Sequence, residues 1–232
     1  MKPFFLNLSL LLALTNLASA QNKLTKAEKK QGYTLLFNGK NTDGWHSYLK
    51  QKPEAAWTVK DGALTLDPKA EGQADLLTNN EYENYELALE WKISEKGNSG
   101  VIFGVHEDPA FGATYLTGIE MQVLDNVGAD DNKKATHLAG SLYDLKAPSE
   151  AVAKPVGEWN MARIRKDNGH LTFWLNGTKI IETQIGSPEW ETLLSNSKFR
   201  NWKNFAKYPK GHIALQDHGH EVAYRDIMIK EL

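Results

Sequence analysis

The chain has 232 residues, 41% of them hydrophobic and 24% charged, with a formal net charge of −2 at pH 7. That length suits one globular domain or two small ones. The dispersed, near-neutral charge gives no electrostatic footprint for nucleic acid or an anionic membrane surface. The sequence contains no cysteine, which excludes a disulfide framework.

The first twenty residues read MKPFFLNLSLLLALTNLASA. Lys2 precedes an apolar stretch, and Ala18-Ser19-Ala20 forms an A-x-A site. This pattern predicts a signal peptide, residues 1–20, cleaved after Ala20, and a periplasmic or secreted mature chain. The apolar run is short and interrupted by Asn7 and Asn16, so it does not read as a membrane span. Residues 21–232 are expected to form a single domain large enough to bury its own core.

Thr25-Lys-Ala-Glu28 is a capping box and predicts a short helix before Gly32. YTLLFNG (33–39) reads as a strand meeting a turn. AAWTVKDGALTLD holds two short strands around Asp61-Gly62, a hairpin signal. YELALEWKI alternates, with Leu87, Leu89, Trp91 and Ile93 on one face and Glu86, Ala88, Glu90 and Lys92 on the other. SGVIFGV and GIEMQVLD follow as strands. NMARIRK, LTFWLNG and TKIIETQ form a meander turning at Asn176-Gly177, and HIALQ and AYRDIMIKEL close the chain. Between the last two groups, SPEWETLLSNSKFRNWKNFAKYPKG predicts an inserted helix, with Ser187 as its cap and Pro188 in its first position. About ten to twelve strands with little helix point to a β-sandwich, with an up-and-down barrel as the alternative.

Parity assigns faces. Ile119, Met121 and Val123 share one side of their strand, and Glu120 and Gln122 the other. Ile213 and Leu215 oppose Ala214, Gln216 and His218. If the two polar faces adjoin, Glu120, Gln122, Gln216 and His218 make one patch. Asp217 and Asp125 have the wrong parity unless a bulge re-aims them. An antiparallel sheet with one merely wet face explains the same pattern. His46, His106 and His170 read as surface residues, and Trp91 and Trp174 as core. The loop DNVGADDNKK lacks EF-hand spacing and reads as a solvated loop rather than a calcium site. There is no G-x-S-x-G, P-loop or H-E-x-x-H motif.

The segments GNSGVIF, GIEMQVLDN, THLAGSLYD, GEWNMARI, WLNG and KGHIALQDHG, in this order, resemble the 3-keto-disaccharide hydrolase domain family. The resemblance runs over almost all of the mature chain. It implies an all-β, concanavalin A-like jelly-roll sandwich of two curved antiparallel sheets with ligand on the concave one. It also implies a bacterial carbohydrate-processing protein, expected here to act as an enzyme on an oligosaccharide or glycoside. By the same likeness Glu120 and Gln122 match the family's Glu-x-Gln strand, and Gln216, Asp217 and His218 its Gln-Asp-His ending. His137, Ser141 and Tyr143 match its H-x-x-G-S-x-Y segment, and Asn98 its G-N-S-G start. The chain departs from a common form of the family at Gly104-Val105-His106, where many members carry a basic or aromatic residue.

A 3-keto sugar has an acidified hydrogen at carbon 2, and its removal lets the enolate expel the glycosidic oxygen from carbon 1. Such a route needs a base, an acid for the leaving oxygen and a partner for the enolate. Glu120 is the first choice of base and His218 of acid, with the reverse assignment open. Gln122, Gln216, Asn98, His137 and Tyr143 would contact substrate, and Asp217 would orient His218. Glu120, His137, Asp217 and His218 also offer ligands for a divalent metal, at no diagnostic spacing. Two rivals remain. One is a two-carboxylate glucanase using Glu120 and Asp125, which Gln122 between them disfavours. The other is a non-catalytic sugar-binding module.

Overall fold

The computed structural model describes residues 21–232. The proposed signal peptide, residues 1–20, lies outside them. In chain order the elements are α1 (Lys26–Lys30), β1 (Thr34–Leu35), β2 (Trp45–Ser47), β3 (Trp57–Lys60), β4 (Ala63–Leu66), β5 (Leu76–Thr78), β6 (Tyr85–Ile93) and β7 (Asn98–Val105). There follow β8 (Ile119–Leu124), β9 (Asn160–Asp167), β10 (His170–Leu175), β11 (Thr178–Gln184), α2 (Pro188–Ser195), β12 (His212–Leu215) and β13 (Val222–Glu231). One sheet runs β11-β10-β9-β6-β13-β4-β3, with β1 paired to β13; the other runs β2-β5-β12-β7-β8. Every pairing is antiparallel. The expected two-sheet sandwich is therefore present, and the barrel is not.

Local chemistry explains the punctuation. The Thr25 hydroxyl accepts from the Glu28 N–H at 3.2 Å and the Glu28 carboxylate from the Thr25 N–H at 2.6 Å, the reciprocal pair that starts α1. Ser187 accepts from the Trp190 N–H at 3.1 Å and starts α2. Asp61-Gly62 and Asn176-Gly177 both take positive φ at two successive residues, as a twist-matched two-residue hairpin demands.

The core lies between the sheets. Leu87, Leu89, Trp91 and Ile93 of β6 are buried in it as their alternation predicts, against Phe103, Phe173 and Tyr224. Phe103 and Phe173 come from opposite sheets and meet edge to face at 6.0 Å. Burial at ~25 cal/mol per Å² makes each such aromatic worth several kcal/mol.

Three expectations need correction. Thirteen strands form among the described residues, because β2 and β5 are three-residue strands buried at every position and show no alternation. Trp174 is not core. Leu171, Phe173 and Leu175 take the inward positions of β10, which turns Trp174 outward, under the Arg163 guanidinium at 3.9 Å. His46 is buried rather than superficial, held between Asn79 at 2.8 Å and Glu107 at 3.1 Å.

No helix among the described residues is long and apolar enough to cross a membrane.

Candidate active site

The functional face belongs to the five-stranded sheet. In β8, Ile119, Met121 and Val123 enter the core, so Glu120 and Gln122 turn the other way. The register sets Gly100 of β7 opposite Gln122, and Ile102 opposite Glu120. Beyond the end of β12, the Gln216 N–H donates to the Gly100 carbonyl at 2.9 Å. This extra ladder bond carries the alternation of β12 one residue further and aims Gln216 at the patch. Two separate strands therefore bring their polar faces together.

The result is a cavity of about 380 Å³ lined by Glu120, Gln122, Asn98, Gln216 and His218 from the sheet side. Tyr143, Lys198, Phe199, Tyr115 and Trp202 complete its walls from irregular segments. Of the residues singled out in the sequence, six meet here: Glu120, Gln122, Asn98, Tyr143, Gln216 and His218.

Glu120 is buried, and burial pushes its carboxyl up to about 8, against the pull of Lys198 and with a further push from Asp75 and Asp131. Its room comes from a glycine. A Cβ on Gly100 would lie 2.0 Å from Glu120 Oε1. The Gln122 amide is oriented by its hydrogen bonds, its nitrogen donating to Glu120 Oε1 at 3.1 Å and to the Ser99 carbonyl at 2.9 Å. The Ser99 hydroxyl donates to the Gln216 carbonyl at 2.7 Å and pairs with the Tyr224 hydroxyl at 2.8 Å, bracing this floor from below. Two buried acceptors in the pocket, Asn98 Oδ1 and Gln216 Oε1, have no protein partner. Such orphans suit the hydroxyls of a ligand.

The placement of Gly100 yields a first expected outcome. Gly100→Ala forces the Glu120 carboxylate aside, and a displacement of about 1 Å costs on the order of 100-fold in turnover. The overpacking costs about 1–3 kcal/mol of stability. Steady-state kinetics and thermal melting of the purified variant would check both.

Lys198 was not singled out in the sequence. It follows α2 in a 3₁₀ turn, Lys198–Asn201. Its ammonium lies over the Tyr143 ring at 4.2 Å and makes no ion pair within 4.0 Å among the described residues. Burial lowers its pKa, opposed by the carboxylates of Glu120, Asp144 and Asp131. Its backbone N–H donates to Asp144 Oδ2 at 2.7 Å, which fixes the turn that presents it. A lysine amid the aromatic residues of KFRNWKNF was the available signal.

Two residues stand behind the walls rather than in them. His137 is buried, with Nδ1 2.7 Å from Asp131 Oδ1 and Nε2 2.7 Å from Asp144 Oδ1. Tyr143 packs on its ring at 4.5 Å and donates its hydroxyl to Asp131 Oδ2 at 2.8 Å. This network holds Tyr143 and the Lys198 turn in place. The Asp217 carboxylate turns away from the pocket, as parity predicts. Its Oδ1 accepts from the Gly219 N–H at 2.9 Å, while its backbone N–H donates to Asp75 at 2.8 Å. Asp75 is itself buried, its carboxyl pushed up to about 6 by burial, and it also accepts from the Thr114 hydroxyl.

The proposed metal ligands do not assemble. Glu120, His137, Asp217 and His218 sit on different sides of these walls, and no group of three or more His, Cys, Asp or Glu side chains among the described residues could hold an ion. Several polar groups of the DNVGADDNKK loop are already engaged by protein partners. Asn132 donates to the Val127 carbonyl at 2.9 Å, and Asn126 Oδ1 accepts from the Ala139 N–H at 2.7 Å. Asp125 accepts from Lys96 and Val127 N–H groups at 2.8 and 2.9 Å. Burial works against its charge, but these backbone donors hold its carboxyl below the usual range. It does not line the pocket.

Comparison with known proteins fits this geometry. The model of the 3-keto-alpha-glucoside-1,2-lyase-like domain matches residues 32–230. A 3-keto-disaccharide hydrolase of Bacteroides thetaiotaomicron is 30% identical over 246 residues, covering 93% of this chain and 83% of that protein. The crystal structure of a protein from Parabacteroides distasonis is 31% identical with a TM-score of 0.85, covering 92% of this chain and 100% of the other. A second from the same organism is 26% identical with a TM-score of 0.69, covering 86% and 99%. With nearly its whole described length matched, the chain belongs to the 3-keto-alpha-glucoside-1,2-lyase-like domain family and is a glycosidase.

Proposed function

We propose that this enzyme cleaves 3-keto glycosides by removing the proton at carbon 2, eliminating the group at carbon 1 and adding water. One observation carries the reading: among the described residues a single carboxylate, Glu120, lines the pocket. A two-carboxylate glycosidase needs a second carboxyl about 5–9.5 Å from the first, flanking carbon 1. Asp125, the residue that would have supplied it, is engaged by the backbone N–H of Lys96 on a neighbouring loop and of Val127 on its own. A 3-keto substrate needs only one base, because its ketone already acidifies the carbon 2 hydrogen.

The Glu120 carboxylate takes the carbon 2 proton, and the C–H electron pair becomes an enolate with its charge on the carbon 3 oxygen. Lys198, whose ammonium lies over the Tyr143 ring on the pocket wall, is the counter-charge for that oxygen. The enolate then reforms the ketone, carbon 1 and carbon 2 become doubly bonded, and the bond from carbon 1 to the leaving oxygen breaks. His218 at the pocket edge gives the leaving oxygen its proton. Water adds to carbon 1 and carbon 2 is reprotonated, which completes net hydrolysis.

A carboxyl near 8 is suited to this work, since a general base is most effective with a pKa close to the working pH. A non-catalytic module has no use for a carboxyl buried this way, and lining its pocket with an amide would be less costly. Export to the periplasm or beyond is part of the same reading, supported by the basic, apolar and A-x-A pattern of residues 1–20.

The expected result is turnover of a 3-keto glucoside with no turnover of the parent glucoside under the same conditions. Equal rates on the two substrates would refute the proposal.

A further inference from the structure

We infer that Tyr115 and Trp202 form a leaving-group subsite that selects glycosides whose aglycone carries a ring with an apolar face. This rests on the reading above, because it assigns the deep end of the same pocket to the keto sugar.

The pocket is polarised along its depth. At its floor lie Glu120, Gln122 and the two unpartnered acceptors of Asn98 and Gln216. At its mouth Tyr115 is 42% exposed, although it is a large apolar side chain beside a cavity. Its ring centroid is 6.0 Å from that of Trp202, with the planes tilted by 40°. Tyr115 lies outside the sandwich core, and Trp202 packs against the core's edge while staying partly exposed. Both come from segments outside the sheets, the 3₁₀ turn Thr114–Leu116 and the stretch after Lys198–Asn201.

The mouth is built rather than loose. Trp202 is braced edge-on by Phe199 at 5.0 Å, and Phe199 is stacked on Phe205 at 4.0 Å. Thr114, next to Tyr115, is fully buried and donates its hydroxyl to Asp75. The two segments are joined to each other by the Ala206 N–H, which donates to the Thr117 carbonyl at 2.9 Å. Rigid aromatic rings at a polar-floored mouth match the chemistry of a pyranose face or an aryl group. Ring stacking of this kind adds about 0.5–1.5 kcal/mol beyond the area buried. A methyl leaving group would reach neither ring.

The test is calorimetric binding to the full chain in a Glu120→Gln background, with and without Trp202→Ala, Trp202→Phe or Tyr115→Ala. The ligands are 3-keto forms of a methyl glucoside, a disaccharide and a phenyl glucoside, plus the three unoxidised parents. Trp202→Ala and Tyr115→Ala are expected to weaken ring-bearing ligands about 10-fold and leave the methyl glucoside unchanged. Trp202→Phe is expected to restore most of the loss. A loss confined to the disaccharide identifies a sugar as occupant, and one confined to the phenyl glucoside an aryl group. Equal losses for the methyl ligand, or no loss for either ring, would overturn the subsite. Ring-dependent losses seen with the parents, combined with no preference for the keto forms, would uphold the subsite and refute the 3-keto reading. Circular dichroism of each variant separates a local loss from unfolding.

Discussion

Replacing Glu120 by glutamine is expected to remove nearly all turnover and, at the same time, to raise the stability of the protein. General base catalysis contributes about 10²–10⁴-fold, and an amide of the same shape cannot take a proton. The stability gain follows from the same burial. In the folded chain the carboxyl holds its proton up to about pH 8, whereas the unexposed-to-exposed change on unfolding returns it to about 4.5. Between those values the folded state binds a proton that the unfolded state has released, so stability falls as pH rises. At pH 7 the gap of about 2.5 units corresponds to roughly 3 kcal/mol. Glutamine does not titrate and escapes this penalty. The Glu120→Gln variant should therefore melt well above the wild type at pH 7 and close to it at pH 4. Urea unfolding at the two pH values would measure the difference. A variant that is inactive and also less stable at pH 7 would mean that Glu120 is charged and well paired in the fold.

The pH profile carries the second large effect. With Glu120 as base, kcat/KM should rise with an apparent pKa of about 8 as the carboxylate forms. It should fall again below the ordinary lysine range as Lys198 loses its proton, since burial lowers that pKa. The two groups are coupled, and the direction is fixed: the cation helps Glu120 ionise. Lys198→Met is thus expected to move the rising limb to higher pH and to reduce kcat by about 10²–10³-fold through loss of the enolate's counter-charge. The structural bond of this residue is made by its backbone N–H, which methionine keeps. Lys198→Arg should retain the position of the rising limb better than Lys198→Met. A rising limb that stays in place or moves down in Lys198→Met would show that Lys198 does not act on Glu120. A limb that falls, rather than rises, through pH 8 would reverse the acid and base roles of Glu120 and His218.

What the sequence disclosed follows from periodicity. A period of two forces Glu120 and Gln122 away from Ile119, Met121 and Val123, and Gln216 away from Leu215, so the polar face was readable before any coordinates. The caps at Thr25 and Ser187 and the turns at Asp61-Gly62 and Asn176-Gly177 were readable because their chemistry is local. Lys198, Tyr115 and Trp202 were not. They sit in irregular segments whose positions depend on distant partners, such as Asp144 for the Lys198 turn and Asp75 for Thr114. Parity says nothing about such segments. His137 shows the complementary limit. Its motif could be recognised, but its two carboxylate partners are Asp131 and Asp144, six residues before it and seven after, in turns that no pattern anticipates. Gly100 likewise reads as an ordinary strand glycine until the space it leaves for Glu120 is seen.

In the proposed reaction the bond between carbon 2 and its hydrogen breaks during turnover. The most direct measurement of this step is the rate and label balance with a 3-keto disaccharide deuterated at carbon 2, compared with the unlabelled substrate at early times and against an enzyme-free control. Slower cleavage of the deuterated substrate is expected, with loss of its deuterium to solvent water. Equal rates, with the deuterium fully retained at carbon 2 of the released sugar, would contradict the proposed reaction.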